Sequence, residues 1–166
     1  MTKLEVELNW TSKKLFYQIM IKFYESLREK PSKSDSFRIE HKELFEKKFI
    51  FYRFNLKDKL LYLGRTSPQK QIYDRILNEF HDGLRKIMLF YPNPKEVQIS
   101  CAIISMLNVE QTDLVLNDIE NTLIFEAQPE FNIFAKESYD NKFDEYTIRN
   151  TGDYFPLKHF YAWKDK

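Results

Sequence analysis

The sequence is poor in the residues that build disulfide frameworks, flexible linkers and membrane spans. It contains one cysteine, three glycines and six prolines among 166 residues. A single cysteine excludes an internal disulfide framework and a multi-cysteine zinc site. No apolar run approaches the roughly 20 residues that a membrane helix needs, and the charged start MTKLEVELNW is not typical of a signal peptide. We therefore expect a globular cytoplasmic protein that has no membrane partner.

The residues that are plentiful are aromatic and charged. Aromatic residues make up 16% of the chain, with 15 Phe and 10 Tyr, so we expect a core built largely from phenylalanine. The charges divide along the chain: Met1 to Ser100 has 20 Lys and Arg against 13 Asp and Glu, a net charge of +7, whereas Cys101 to Lys166 has 6 against 12, a net charge of −6. A basic part followed by an acidic part is compatible with a protein that binds a polyanion on one face.

The first 48 residues are predicted to form a helical arm. A strand-like piece, Leu4 to Trp10, is followed by an amphipathic helical pattern from Lys13 to Glu29. The stretch from Lys30 to Ser36 is the clearest linker, and a polar helix is predicted from His41 to Lys48. Lysines of this arm could follow a phosphate backbone, form a solvated helix face or make a homodimer contact.

The hydrophobic period changes at Phe49, where we predict a compact core. Two strands joined by a turn form a hairpin, a third strand follows later, and two helices are interleaved with them. The predicted strands are Phe49–Phe54, Lys59–Gly64 and Val97–Ile104, and the predicted helices are Ser67–Leu89 and Glu110–Ala127. The predicted fold class is α/β (α+β), with a small three-stranded, mainly antiparallel sheet flanked by helices in the order β-β-α-β-α. Residues 49–132 form this core, and residues 133–166 are predicted to be a C-terminal extension packed on it.

One carboxylate and two tyrosines stand out in this core. Glu120 lies among Leu116, Leu123 and Ile124 at helical spacing, and an unpaired charge is costly to bury beside an apolar stripe. A glutamate at the stripe edge that reaches solvent or pairs with a basic side chain is the structural alternative. Tyr52 and Tyr62 are placed by the hairpin near opposing positions, where they could share one face or simply pack as half-buried aromatics.

These residues together resemble the GIY-YIG nuclease superfamily. That family has two short tyrosine motifs on a hairpin, and the matching segments here are Ile50-Phe51-Tyr52 and Tyr62-Leu63-Gly64. The segment from Glu120 to Ile124, followed by Pro129-Glu130-Phe131-Asn132, is similar to the family's E-x-x-L-I…P-x-[YF]-N pattern. The resemblance covers about residues 49–132 and implies a Mg²⁺-dependent endonuclease that hydrolyses phosphodiester bonds of DNA.

The resemblance also implies roles for individual residues. Glu120 would ligate one Mg²⁺ or Mn²⁺ ion, which prefers oxygen ligands and needs few protein groups. Tyr52 would position or deprotonate the attacking water, and Tyr62 would hydrogen-bond in the same pocket. Arg75 would hold the scissile phosphate with its planar guanidinium. We therefore expect both tyrosines, Arg75 and Glu120 in one cleft, and the catalytic prediction depends on Tyr52 and Glu120 lying on the same side of the sheet.

Three further side chains would support substrate binding. Arg65, directly after the second tyrosine motif, could supply another cation, His81 lies two residues beyond the position of the family's histidine or tyrosine, and Asn132 would brace the site.

Two other functions are considered from the sequence. A catalytically degenerate domain that binds nucleic acid or protein would keep the same scaffold, because a fold can persist without its chemistry. An enzyme that uses Cys101 as a nucleophile is disfavoured, since a thiol in an apolar strand is normally inert.

Overall fold

The computed structural model describes residues 2–15, 49–67, 86–87, 90, 94–138 and 142–164. Within these residues seven strands form one curled mixed sheet, and one long helix packs against it. The strands are β1 (Lys3–Trp10), β2 (Lys14–Leu15), β3 (Phe51–Leu56), β4 (Lys59–Arg65), β5 (Val97–Leu107), β6 (Glu145–Gly152) and β7 (Phe160–Lys164), and the helix is α1 (Asp113–Ala127).

The order of the strands shows that the predicted fold class is wrong. The sheet runs β4-β3-β5-β1-β6-β7, with β2 also paired to β5, instead of ending after three strands. All pairs are antiparallel except β1 and β6, which are parallel. The parallel pair joins Lys3 to Glu145 and Trp10 to Gly152. This pairing bridges about 140 positions of the sequence, and no local hydrophobic period reports it.

The predicted strand and helix segments of the core are confirmed where the structure describes them. The hairpin, the strand that begins at Val97 and the helix that ends at Ala127 all form. β3 and β4 are joined by a tight turn in which Lys57 has a left-handed φ of 53°. The predicted helices of the arm beyond Leu15, and most of the helix predicted after Ser67, lie outside the described residues.

The ends of the chain belong to the sheet. β1 lies between β5 and β6, and its even-numbered residues Leu4, Val6, Leu8 and Trp10 are buried because strand side chains alternate between faces. Within the C-terminal extension, β6 and β7 continue the sheet on the far side of β1.

The main hydrophobic core lies between α1 and one face of the sheet. Leu116, Ile119 and Leu123 of the helix contact a cluster that includes Phe51 and Leu63. The helix begins at a Thr112 cap, whose hydroxyl accepts a hydrogen bond from the backbone N–H of Val115. It ends where Gln128 adopts a left-handed conformation. Between these two ends, α1 packs against β4.

Candidate functional site

The β3–β4 hairpin places the two predicted tyrosines on one face of the sheet. Tyr52 pairs with Gly64, and Phe54 pairs with Tyr62, so all four residues point to the same side. The Tyr52 and Tyr62 rings stack with centroids 6.2 Å apart, and the Phe54 ring is 5.9 Å from that of Tyr52. Tyr52 and Phe54 are fully buried. The tyrosine motifs therefore form an aromatic cluster inside the protein.

Gly64 is required by the packing of these rings. A Cβ atom at this position would lie 2.7 Å from Tyr52 Oη and 2.9 Å from Tyr62 Cε1. Both distances are shorter than van der Waals contact, so any side chain at this position would displace a ring. The glycine of the second motif thus allows two aromatic rings to approach the backbone closely.

Arg65 and Glu120 meet on the opposite face of the sheet. Arg65 Nε lies 3.2 Å from Glu120 Oε2, and Arg65 Nη1 lies 3.1 Å from Asp113 Oδ1. Both Arg65 and Glu120 side chains are 19% exposed. Arg65 Nε has no hydrogen-bond partner among the described residues, so its contact with Glu120 is an ion pair without an aligned hydrogen bond. The structural alternative predicted for Glu120, a pair with a basic side chain, is what forms.

The sheet separates the tyrosines from the carboxylate. Phe51 and Leu63 point to α1, where Glu120 lies, so Tyr52 and Tyr62, which alternate with them, point away from α1. The prediction that both tyrosines lie in one cleft with Glu120 is therefore wrong. Arg75 and His81 lie outside the described residues. In the part of the chain that the structure describes, no three His, Cys, Asp or Glu side chains are grouped to hold a metal ion.

Asn132, at the end of the Pro129-Glu130-Phe131-Asn132 segment, forms hydrogen bonds with the strand that contains Tyr62-Leu63-Gly64. Its Oδ1 accepts a hydrogen bond of 2.9 Å from the backbone N–H of Leu63, and its Nδ2 donates one of 2.8 Å to the Leu63 carbonyl. The backbone N–H groups of Glu130 and Phe131 donate to the carbonyls of Leu60 and Leu61. These bonds cover the outer edge of β4, which would otherwise present unpaired backbone groups.

Lysines gather at one end of the sheet. Leu56 of β3 is paired with both Lys59 and Val97, and Lys14 of β2 is paired with Ile99. The lysines at or near this end of the sheet are Lys13, Lys14, Lys57, Lys59 and Lys95. Lys13 Nζ is 3.5 Å from Asp153, and Lys59 Nζ is 2.9 Å from Glu130.

Of this group, only Lys13 and Lys14 belong to the arm whose lysines were predicted to follow a phosphate backbone. A turn with lysines on both sides of Asp58, and Lys95 just before a strand, were the available signals for the others.

Comparisons with protein-family models, curated proteins and solved structures found no match to this chain. Among the described helices, none has the length and apolar character needed to cross a membrane.

Proposed function

We propose that this chain is a GIY-YIG-like domain that binds nucleic acid without cleaving it. The relation to that superfamily is supported by the way its motif segments meet. Asn132 bonds to Leu63 in the middle of Tyr62-Leu63-Gly64, and Glu120 pairs with Arg65 directly after it. Two segments that match the family pattern, separated by more than 50 residues, are thus in contact at one strand.

The observation that favours binding over catalysis is the position of Tyr52 relative to Glu120. Metal-assisted hydrolysis needs the group that activates water and the metal ligand within reach of the same phosphate. Tyr52 is buried on the face away from α1, and the Glu120 carboxylate is engaged by a guanidinium. A divalent ion at Glu120 would have to compete with Arg65 for that carboxylate.

Nucleic acid is favoured over protein as the partner by charge. The first 100 residues carry a net charge of +7, and the lysines at one end of the sheet belong to this part of the chain. Lys14, Lys57, Lys59 and Lys95 are exposed there. Phosphate groups would replace the partners of Lys13 and Lys59, and the release of counterions from the nucleic acid would drive binding.

The experiment that tests this function measures binding and cleavage on the same labelled DNA. Duplex and branched DNA are titrated with the full chain over a series of salt concentrations in EDTA, and then incubated with Mg²⁺ or Mn²⁺. The proposal expects salt-sensitive binding and intact DNA. An affinity for DNA that does not change between low and moderate salt concentration would contradict nucleic-acid binding. Cleavage that needs the metal would instead establish the second candidate, the Mg²⁺-dependent endonuclease predicted from the sequence.

A further inference from the structure

Arg53 is a fully buried cation in the middle of β3, on the face that α1 covers. Its Nη1 donates to the carbonyl of Tyr154 and its Nη2 to the carbonyl of Asp153. Its guanidinium carbon lies 4.7 Å from the centre of the Trp10 ring. The remaining nitrogen, Nε, is buried and has no hydrogen-bond partner among the described residues.

The charge of Arg53 is not paired by a hydrogen-bonded carboxylate within the described part of the chain. Its partners are carbonyls, and the nearby Asp153 carboxylate is shared with Lys13, whose backbone N–H donates to it at 3.2 Å and whose Nζ lies 3.5 Å away. Burial lowers the pKa of Arg53 to about 10, which reports the cost of keeping a charge away from water. A buried cation of this kind is stabilised by an anion.

Asn55 lies two residues further along β3 and points to the same face. It is fully buried, and neither Oδ1 nor Nδ2 has a hydrogen-bond partner among the described residues. Arg53 and Asn55 pair with Ser100 and Gln98 of β5. Because they are two positions apart on one strand, their Cα atoms are about 7 Å apart. Buried amide groups in proteins nearly always have a partner.

We propose that Arg53 and Asn55 together form a buried binding site for the oxyanion group, a carboxylate or a phosphate, of a small solute. One oxygen of the anion accepts from Arg53 Nε–H, and a second accepts from the Asn55 amide. A hydroxyl or amine of the solute donates to Asn55 Oδ1. Charge-assisted hydrogen bonds of this type are about twice as strong as neutral ones.

A solute would reach this site from the lysine end of the sheet. On the same face, Gln98 is half-buried and its pairing partner Leu15 is 37% exposed. Lys13 Nζ lies 3.5 Å from the carboxylate of Asp153, whose backbone carbonyl accepts from Arg53. Arg53 and Asn55 therefore lie below the surface, on the face where Leu15 reaches solvent.

The test follows the side-chain Nε–H signal of Arg53 by NMR on the full chain. Sodium phosphate and sodium acetate are titrated separately, with sodium chloride at matched ionic strength as the reference. The proposal expects a saturable shift of this signal with phosphate, acetate or both, and none with chloride. Phosphate alone would identify a phosphate site, and acetate alone a carboxylate site. The absence of a saturable shift with either anion would overturn the proposal.

Two substitutions at Asn55 and one control sharpen the test. Asn55→Leu should weaken the binding of the anion roughly tenfold, because one charge-assisted donor is lost. Asn55→Asp should abolish the response, since its own carboxylate takes the place of the anion. Arg149→Gln, on an exposed arginine, should change nothing. An unaltered response in Asn55→Leu, or its loss in Arg149→Gln, would overturn the site; Asn55→Leu carries the test if Asn55→Asp does not fold.

Discussion

Glu120 Oε2 lies 3.2 Å from Arg65 Nε, and this contact joins α1 to the edge strand β4 on the face opposite Tyr52. The side chain that the motif identified as a metal ligand thus has a partner within the protein. The arginine that follows Tyr62-Leu63-Gly64 is that partner. The pair is half-buried, so solvent screens it less than an exposed pair.

The first prediction concerns Glu120→Gln. The substitution removes the charge that faces Arg65 and should reduce the free energy of unfolding by about 1 kcal/mol, because a partly buried ion pair loses one member. DNA affinity should stay level or increase. Urea denaturation followed by circular dichroism measures the stability.

Glu130→Gln is the matched control for Glu120, since its partner Lys59 is 56% exposed. That variant should lose about 0.5 kcal/mol or less. A wild-type chain that cleaves DNA with Mg²⁺, together with a Glu120→Gln variant that does not, would contradict the binding-only proposal and restore Glu120 as a metal ligand.

Lys57→Gln should weaken DNA binding without affecting the fold. Lys57 is exposed in the β3–β4 turn. If it contacts one phosphate, the slope of log affinity against log salt should fall by about one. Lys142→Gln is the control: this exposed lysine lies beside Thr2, at the opposite end of β1 from Lys14. Equal losses for the two variants would show that net charge, and not the lysine end, determines affinity.

Gly64→Ala should destabilise the protein by about 1–3 kcal/mol, as overpacked core substitutions do. The new methyl group would lie under 3.0 Å from atoms of both Tyr52 and Tyr62. The near-ultraviolet circular dichroism of the tyrosines should change, since their stacking must shift. Wild-type stability and an unchanged spectrum would contradict the packing described for this cluster.

Asn132→Asp tests the connection between the two motif segments. A carboxylate can accept from the N–H of Leu63 but cannot donate to its carbonyl, so we expect a loss of about 2–3 kcal/mol. Asn117→Asp, at an exposed position of α1, should change stability by no more than about 0.5 kcal/mol. Chemical denaturation of both variants gives the comparison. Similar stabilities would show that the hydrogen bonds of Asn132 contribute little.

The buried thiol of Cys101 should make the protein less stable as the pH rises above 9. Burial raises the pKa of its thiol from 9.0 to about 12. Below pH 9 the thiol is protonated in both the folded and unfolded states, so it has no effect there. Between pH 9 and 12 only the unfolded thiol ionises, and stability should fall by up to about 1.4 kcal/mol per pH unit.

The Cys101 effect is measured by comparison with Cys101→Ala. Denaturation at several pH values should show a steeper fall in the wild-type chain than in the variant. A thiol reagent at pH 8 should react with Cys101 only after unfolding, because the thiolate is the reactive form and the side chain is buried. Parallel curves, or rapid reaction in the folded state, would contradict the burial of Cys101.

Local patterns in the sequence were sufficient to predict the strands of the core, β3, β4 and β5, and the helix α1. The change of hydrophobic period at Phe49 and the turn after Phe54 predicted β3 and β4, and an apolar run predicted β5. Apolar residues at helical spacing before Pro129 predicted α1. These features depend on interactions between residues a few positions apart. They are therefore visible in a single sequence.

Only the tertiary structure decided how many strands the sheet has and which side chains meet. The parallel pairing of β1 with β6 and the contact of Arg65 with Glu120 join distant parts of the chain. Tyr52 and Glu120 lie on opposite faces because α1 packs against the residues that alternate with Tyr52. The sequence determined that Arg53 stands between two aromatic residues of a strand. Its burial depends on Trp10 and on the carbonyls of Asp153 and Tyr154, which are distant in the sequence. Such long-range packing is selected by the burial of apolar surface over the whole fold, and no short segment contains it.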